Sequence, residues 1–212
     1  MNNFIKLNGP VVHSIEETKY LVIFLHGWGS DGNDLIQLAD FWKKELKSVT
    51  FHAPNGPDLC SANPLGRQWF EINQEKKTDM VRELNRSYES LKNYINSQLS
   101  DKGLPHKNYF LVGFSQGTMI SIYYALRNKC LGILGYSGAF INQNIPEKTE
   151  INDFFLMHGK DDSVVPIEKM YEAKDSLNRL SNNVKTLEFE KLEHSISEKG
   201  LHEGINFIKN RI

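Results

Sequence analysis

The segment Tyr109-Phe110-Leu111-Val112-Gly113-Phe114-Ser115-Gln116-Gly117 decides the fold of this chain. Its first residues are β-rich and apolar, the pattern Gly-x-Ser-x-Gly follows at once, and a helical run continues from Thr118 to Leu126. A sharp turn from strand to helix strains the backbone at the serine, and glycines are needed beside it because larger side chains would clash. Such a turn lifts the Ser115 hydroxyl clear of the sheet, beside the positive end of a helix. The segment therefore predicts a nucleophilic serine in an α/β fold.

Short β-rich runs alternate with helical segments along the rest of the chain. The predicted strands are Tyr20–Leu25, Val49–His52, Tyr109–Val112, Gly132–Tyr136, Phe154–Met157 and Val184–Phe189, with a further antiparallel strand near Lys6 or Val11. The predicted helices include one from about Thr78 to Leu99, one opened by Pro166 and a last one carrying Leu201, Ile205 and Ile208. Several strands are apolar on consecutive residues, which is typical of a parallel sheet covered on both faces. We therefore predict an α/β protein with a doubly wound, mostly parallel central sheet.

One stretch of the chain interrupts this alternation. Residues from Pro54 to about Lys77 show no sustained period of either kind, and loops of that length are uncommon in compact domains. The stretch carries Trp69 and Phe70, which are costly to leave in water, so we expect it to be ordered and packed near a site. We expect a single domain over residues 1–212, in which residues 54–77 form a lid-like loop insertion.

Composition excludes several classes of protein. The chain has 212 residues, 40% of them hydrophobic, and its 25 Lys and Arg against 26 Asp and Glu leave a net charge of −1. We therefore expect no nucleic-acid partner, since such partners need a clustered basic excess. Apolar runs such as Tyr20–Leu25 are too short to span a bilayer, so we expect no stable membrane insertion. Met1–Pro10 shows no secretory signal, and Cys60 and Cys130 fit neither a disulfide framework nor a metal site. These features favour a cytoplasmic protein and leave a homodimer open.

A base must remove the proton of a serine hydroxyl before that oxygen can attack. In this kind of fold the residues follow in the order serine, acid, histidine, and His158, His194 and His202 come after Ser115. His194 is the expected base because it lies between the last strand and the last helix, in a loop at the carboxyl edge of the sheet. His158 precedes the plausible acids and is interpreted as bonded near the following turn, and His202 as a surface or packed residue of the last helix.

The acid is expected on the loop after the strand Phe154–Met157. Asp161 and Asp162 both lie there, where a carboxylate could face His194, hold its tautomer and stabilise its charged form. The residues alone leave both aspartates open, one as the acid and the other as a solvated turn residue.

Backbone donors for a developing oxyanion are expected from two turns. One is the N–H of Gln116, directly after the serine, and the other comes from Leu25-His26-Gly27-Trp28-Gly29, which ends the first long strand. The glycines allow the backbone of Trp28 to come close to a substrate.

Taken together, these segments resemble the small α/β-hydrolases of the carboxylesterase, lysophospholipase and acyl-protein thioesterase family. The matching stretches, in family order, are Leu25-His26-Gly27-Trp28-Gly29-Ser30-Asp31-Gly32, Trp69-Phe70-Glu71-Ile72, Gly113-Phe114-Ser115-Gln116-Gly117 and His158-Gly159-Lys160-Asp161-Asp162-Ser163-Val164-Val165-Pro166, and His194 falls where the family has its base. The resemblance implies an α/β-hydrolase fold without a separate cap domain. It also implies hydrolysis of carboxylic esters or thioesters of small molecules, lipids or acylated proteins, without metal or cofactor.

The resemblance also assigns roles to individual residues. The family spacing His-Gly-x-x-Asp-x-x-Val-Pro lands on Asp162 as the acid. The Trp28 and Gln116 N–H groups would form the oxyanion hole, and Val164 with the Trp69-Phe70 loop would line the acyl channel. Three departures are present: Thr118 replaces a glycine, Trp28 replaces a smaller apolar residue, and Glu71 replaces an aspartate. These departures bear on the preferred acyl chain rather than on the mechanism.

Two other interpretations are set against a serine ester hydrolase. A dienelactone-hydrolase-like or peptidase activity could use the same fold, although a cysteine nucleophile would mark the former. A non-catalytic hydrolase relative acting as a binding protein would be expected to have lost part of the Ser-His-Asp set, whereas Ser115, Asp162 and His194 are all present.

Overall fold

A mostly parallel sheet runs through the protein. The structure is a computed structural model that describes residues 4–72 and 77–212. Its strands are β1 (Val11–Val12), β2 (Tyr20–Leu25), β3 (Val49–His52), β4 (Asp58–Leu59), β5 (Arg67–Gln68), β6 (Tyr109–Phe114), β7 (Gly132–Tyr136), β8 (Asp153–Gly159) and β9 (Asn183–Phe189). Its helices are α1 (Gly32–Leu35), α2 (Leu38–Trp42), α3 (Lys77–Asp101), α4 (Gln116–Ala125), α5 (Glu168–Arg179) and α6 (Glu198–Lys209).

Seven of these strands form the main sheet, in the order β1-β3-β2-β6-β7-β8-β9. All neighbours pair in parallel except β1, which is antiparallel to β3 with Val11 opposite His52. The predicted fold class is confirmed. The expected antiparallel first strand lies at Val11, and not near Lys6.

Helices cover both faces of the sheet, as the consecutive apolar residues of its strands require. Along β2, Leu21, Ile23 and Leu25 pack with buried residues of α3, α4 and α5. Val22 and Phe24 of the same strand point to the opposite face, where α1, α2 and α6 pack. Both faces of the central strands are therefore buried, which explains why the strands are apolar throughout.

The stretch predicted to lack regular structure contains a small hairpin. Strand β4 pairs antiparallel with β5, with Asp58 opposite Gln68 and Leu59 opposite Arg67. Two-residue strands are too short to leave a periodic signal in sequence, so the expectation was wrong for this part of the loop. Residues 73–76 of the predicted lid-like loop lie outside the described residues.

In the part of the chain that the structure describes, no helix is both long enough and apolar enough to cross a membrane.

Candidate active site

Ser115 lies in the tight turn between β6 and α4. Its φ of 54° is in the left-handed region, which a non-glycine residue adopts only at a cost and which is frequent at functional sites. The two glycines of the pattern are sterically required. A Cβ on Gly113 would lie 2.4 Å from the backbone carbon of Gly117, and one on Gly117 would lie 1.7 Å from the Leu25 carbonyl oxygen. Because neither glycine has a Cβ, α4 can start close against β2, and the serine is held at the carboxyl edge of the sheet.

Thr118, which departs from the family pattern, fits against two further glycines. Its hydroxyl donates to the Gly113 carbonyl at 2.8 Å, or to the Tyr136 carbonyl at 2.9 Å. A Cβ on Gly135 or Gly138 would lie 2.6 Å or 2.3 Å from Thr118 side-chain carbons. The glycines make room for the threonine, and the turn keeps its geometry.

In the structure, the side chain of His194 is hydrogen-bonded to the side chain of Asp162. His194 Nδ1 donates to Asp162 Oδ2 at 2.8 Å, while Asp162 Oδ1 accepts the N–H groups of Val164 at 3.0 Å and Val165 at 2.8 Å. Burial raises the pKa of the Asp162 carboxyl, but the hydrogen bonds from His194 and the two N–H groups lower it by more, so its pKa lies below the ordinary value. The carboxylate is therefore ionised at neutral pH. Asp161, which the residues alone left open, is exposed.

His158 also contacts this carboxylate. Its Nε2 lies 2.7 Å from the Val165 carbonyl oxygen and 3.2 Å from Asp162 Oδ2, and its side chain is almost fully buried. A carbonyl only accepts, so Nε2 carries a proton that it donates to the Val165 carbonyl. The interpretation of His158 as a histidine bonded near the following turn agrees with its hydrogen bond to Val165, but its contact with Asp162 was not predicted.

Ser115 and His194 border the same cavity, of about 590 Å³. Its lining is mainly apolar and includes Trp28, Ile72, Phe114, Met119, Val164 and Pro166. The exposed side chains of Trp28, Ile72 and Val164 make its mouth hydrophobic. The arrangement suits an apolar chain whose reactive carbon lies beside Ser115.

Trp69 and Phe70 do not border this cavity. Both are fully buried in the core. The Trp69 N–H donates to Gln116 Oε1 at 2.9 Å, and Gln116 Nε2 donates to the Phe70 carbonyl at 2.7 Å. This corrects the expectation that the two aromatics line the acyl channel, since they anchor the Gln116 side chain instead. Val164 does border the cavity.

Trp28 and Gln116, whose backbone N–H groups are the expected oxyanion donors, both border this cavity. A Cβ on Gly27 would lie 3.5 Å from Ser115 Cβ, so the loop after β2 runs directly beside the serine. Within the described ranges, neither N–H donates to another protein atom. Both are therefore free to bind an oxygen that develops negative charge.

The β4–β5 hairpin is bonded to this same loop. The Gly29 N–H donates to the Arg67 carbonyl at 3.0 Å, and the Arg67 N–H donates to the Ser30 carbonyl at 2.7 Å. The Trp28 indole Nε1 donates to Gln68 Oε1 at 3.0 Å. The hairpin thus fixes both the backbone beside Ser115 and the orientation of the Trp28 ring.

A serine in a strained turn between strand and helix, with an Asp–His pair at the carboxyl ends of later parallel strands, defines an α/β-hydrolase. Residues 8–212 match the Phospholipase/Carboxylesterase family, and the chain belongs to that family.

Individual relatives agree with this assignment. The chain is 30% identical to Acyl-protein thioesterase 1 of Candida albicans over 218 residues, covering 91% of this chain and 92% of that protein. It is 29% identical to Acyl-protein thioesterase 1 of Schizosaccharomyces pombe over 209 residues, covering 92% of each. The crystal structure of esterase PE8 superposes with a TM-score of 0.91 at 30% identity, covering 98% of this chain and 100% of that one. The Bacillus cereus carboxylesterase, at 14% identity and a TM-score of 0.82, shares the fold. The protein is a hydrolase of carboxylic esters.

Proposed function

We propose that the protein hydrolyses acyl esters and thioesters by covalent catalysis at Ser115, with His194 as base and Asp162 as the acid that orients it. The observation that carries the proposal is the 2.8 Å hydrogen bond from His194 Nδ1 to the buried Asp162, with His194 and Ser115 bordering one cavity. Because Nδ1 carries the proton of that bond, Nε2 of a neutral His194 has the lone pair that a base needs. A non-catalytic binding protein would have no need for this pairing.

The proposed reaction has two steps. His194 Nε2 takes the proton of Ser115 Oγ as that oxygen attacks the acyl carbonyl carbon, and the carbonyl electron pair moves to the oxygen. The Trp28 and Gln116 N–H groups bind the resulting oxyanion. When the tetrahedral intermediate collapses, the alcohol or thiol leaves with the proton from His194, and an ester of Ser115 remains. Water, deprotonated by His194, then repeats the attack and releases the carboxylic acid and free Ser115.

The apolar cavity supports an acyl chain as the part of the substrate that is recognised. A near-zero net charge and a hydrophobic mouth favour a lipid or an acylated ester or thioester over a charged substrate. The family relatives named acyl-protein thioesterases support the thioester part of the proposal. We further propose that residues 1–212 act as one domain in the cytoplasm; a homodimer stays open.

Labelling with a fluorophosphonate tests the proposed nucleophile. The attacking oxygen displaces fluoride from phosphorus, so mass spectrometry of the labelled protein is expected to find one phosphonate, on the peptide that contains Ser115. Ser121 is a matched control because it is a buried serine of α4 whose hydroxyl is bonded to the Gly117 carbonyl. The S121A variant is expected to label like the wild type. A phosphonate on another residue, or no labelling at neutral pH, would contradict the proposal.

Trp28 is expected to limit the length of the acyl chain. Its ring is held at the cavity by Gln68, and leucine would open that space while leaving the backbone N–H in place. In Trp28→Leu, the ratio of kcat/KM for p-nitrophenyl dodecanoate to kcat/KM for the acetate is expected to rise about 10-fold. Phe41→Leu, at an exposed aromatic of α2 away from the cavity, should leave the ratio unchanged. An equal change on all chain lengths in Trp28→Leu would refute this role.

A further inference from the structure

His26 is a fully buried histidine that the proposed reaction does not use. It directly follows β2, and both of its ring nitrogens have backbone partners. Nδ1 lies 2.8 Å from the Gly27 carbonyl oxygen, and Nε2 accepts the Gly56 N–H at 2.8 Å. The ring also packs beside Trp69, with the two ring centroids 5.3 Å apart.

These two partners determine the tautomer of His26. An N–H only donates, so Nε2 must offer its lone pair to Gly56 and cannot carry a proton. A carbonyl only accepts, so Nδ1 must carry the proton that is donated to Gly27. Burial lowers the pKa of His26 and outweighs the opposing effect of the hydrogen bond to Gly27, which keeps the ring neutral.

The carbonyl that His26 binds belongs to the peptide unit whose other end is the Trp28 N–H. A trans peptide is planar, with its C=O and N–H pointing in opposite directions, and the described chain has no cis peptide bond. The Gly27 carbonyl accepts from His26 Nδ1 and also from the Ser30 N–H at 3.2 Å. With its carbonyl held from one side, the unit presents its N–H to the opposite side. The cavity beside this unit is bordered by Gly27, Trp28 and Ser115.

We propose that His26 is a positioning residue that orients the oxyanion-binding peptide unit Gly27–Trp28 through its Nδ1–H, an inference that rests on the proposed function. Its Nε2 contact with Gly56 keeps the ring proton on Nδ1, and the Nδ1–H donated to Gly27 sets the direction of the Trp28 N–H. Pre-oriented donors stabilise the oxyanion without reorganising during the reaction, so the orientation bears on kcat more than on substrate binding.

Two variants separate the two contacts. In His26→Asn, the side-chain Nδ2–H stands where Nδ1–H stood, so the donor to Gly27 is kept and the acceptor for Gly56 is lost. In His26→Gln, the side-chain Oε1 reaches the position of Nε2, so the acceptor for Gly56 is kept and the donor to Gly27 is lost. Both variants remove the aromatic ring, and each is therefore the control for the other.

The expected result is a loss of kcat in the glutamine variant alone. With p-nitrophenyl butyrate, kcat of His26→Gln should fall by about 10-fold to 100-fold with KM changed by no more than about twofold, whereas His26→Asn should keep kcat within about threefold. A trifluoromethyl ketone gives a second measure. Ser115 Oγ adds to its carbonyl carbon, the proton passes to His194, and the carbonyl oxygen becomes an oxyanion. Its inhibition constant should rise in His26→Gln by the same factor by which kcat falls.

The outcomes distinguish this proposal from the proposed function. If the wild-type protein forms no ketone adduct at Ser115, the proposed function fails. If the adduct forms and His26→Gln matches the wild type, or both variants lose kcat equally, the positioning role is overturned. Should a variant not fold, ¹⁵N NMR of the wild-type imidazole decides. A neutral Nδ1–H tautomer at pH 7 supports the proposal, and an Nε2–H tautomer or an imidazolium refutes it.

Discussion

Replacing Ser115 with alanine is expected to lower kcat for p-nitrophenyl butyrate by about a million-fold, the scale seen when a serine nucleophile of such a triad is removed. The loss is this large because Ser115 Oγ forms the acyl-enzyme in the proposed reaction, whereas the hydroxyl of Ser30, which also borders the cavity, donates to Asp34 Oδ2. Asp162, His194 and the two backbone donors remain, so a small rate above the uncatalysed reaction should persist.

The variant should fold like the wild type. Alanine adopts the φ of 54° at the turn at a cost similar to that of serine. Within the described residues, Ser115 Oγ makes no hydrogen bond whose loss would destabilise the fold. Ser137→Ala is the matched control. Ser137 also has a positive φ, of 49°, and its buried hydroxyl has no partner within the described ranges. Its replacement should change neither kcat nor the Tm, and a Ser115→Ala variant retaining near wild-type turnover would eliminate the assignment of the nucleophile.

Replacing Asp162 with asparagine is expected to lower kcat by about 10⁴-fold. The Val164 and Val165 N–H groups already require an oxygen at the Oδ1 position, so the amide nitrogen of the asparagine must occupy the Oδ2 position. There an NH₂ group, which only donates, would face His194 Nδ1. His194 would then offer a lone pair at Nδ1 and carry its proton on Nε2, so it could no longer accept the proton of Ser115.

The same change at the neighbouring position is the control. Asp161 has the same chemistry but is exposed, so Asp161→Asn should keep kcat within about twofold. The two variants are to be compared by kcat at pH 7 and by thermal unfolding. A fall in kcat of similar size in both, or a wild-type rate in Asp162→Asn, would show that Asp162 does not orient the base.

The sequence predicts well those features that depend on local sterics or on chain order. Gly113 and Gly117 flank Ser115 because nothing larger fits, so the turn is visible as a pattern. The apolar runs of the strands follow from burial on both faces, and the place of His194 follows from the order of the elements. The choice of Asp162 as the acid required the family spacing as well. Asp161 and Asp162 are adjacent residues of the same type, and they differ only in which side chain the loop turns inward.

Other features depend on partners that are remote in sequence. Trp69 and Phe70 are buried, and their backbone is bonded to the side chain of Gln116, more than forty residues away. His26 was predicted only as part of a glycine turn, because its hydrogen-bond partner Gly56 comes 30 residues later in the chain. The β4–β5 hairpin likewise depends on its contacts with the loop after β2. Such partners have no local signal and require coordinates.

The position of Trp28 also has an optical consequence. The chain contains 3 tryptophans, and Trp42 and Trp69 are fully buried while Trp28 is 39% exposed beside Ser115. A water-soluble quencher of indole emission therefore reaches Trp28 in preference to the other two. An acyl chain that fills the cavity is expected to shield the same ring, so the emission of Trp28 should report the binding of substrate there.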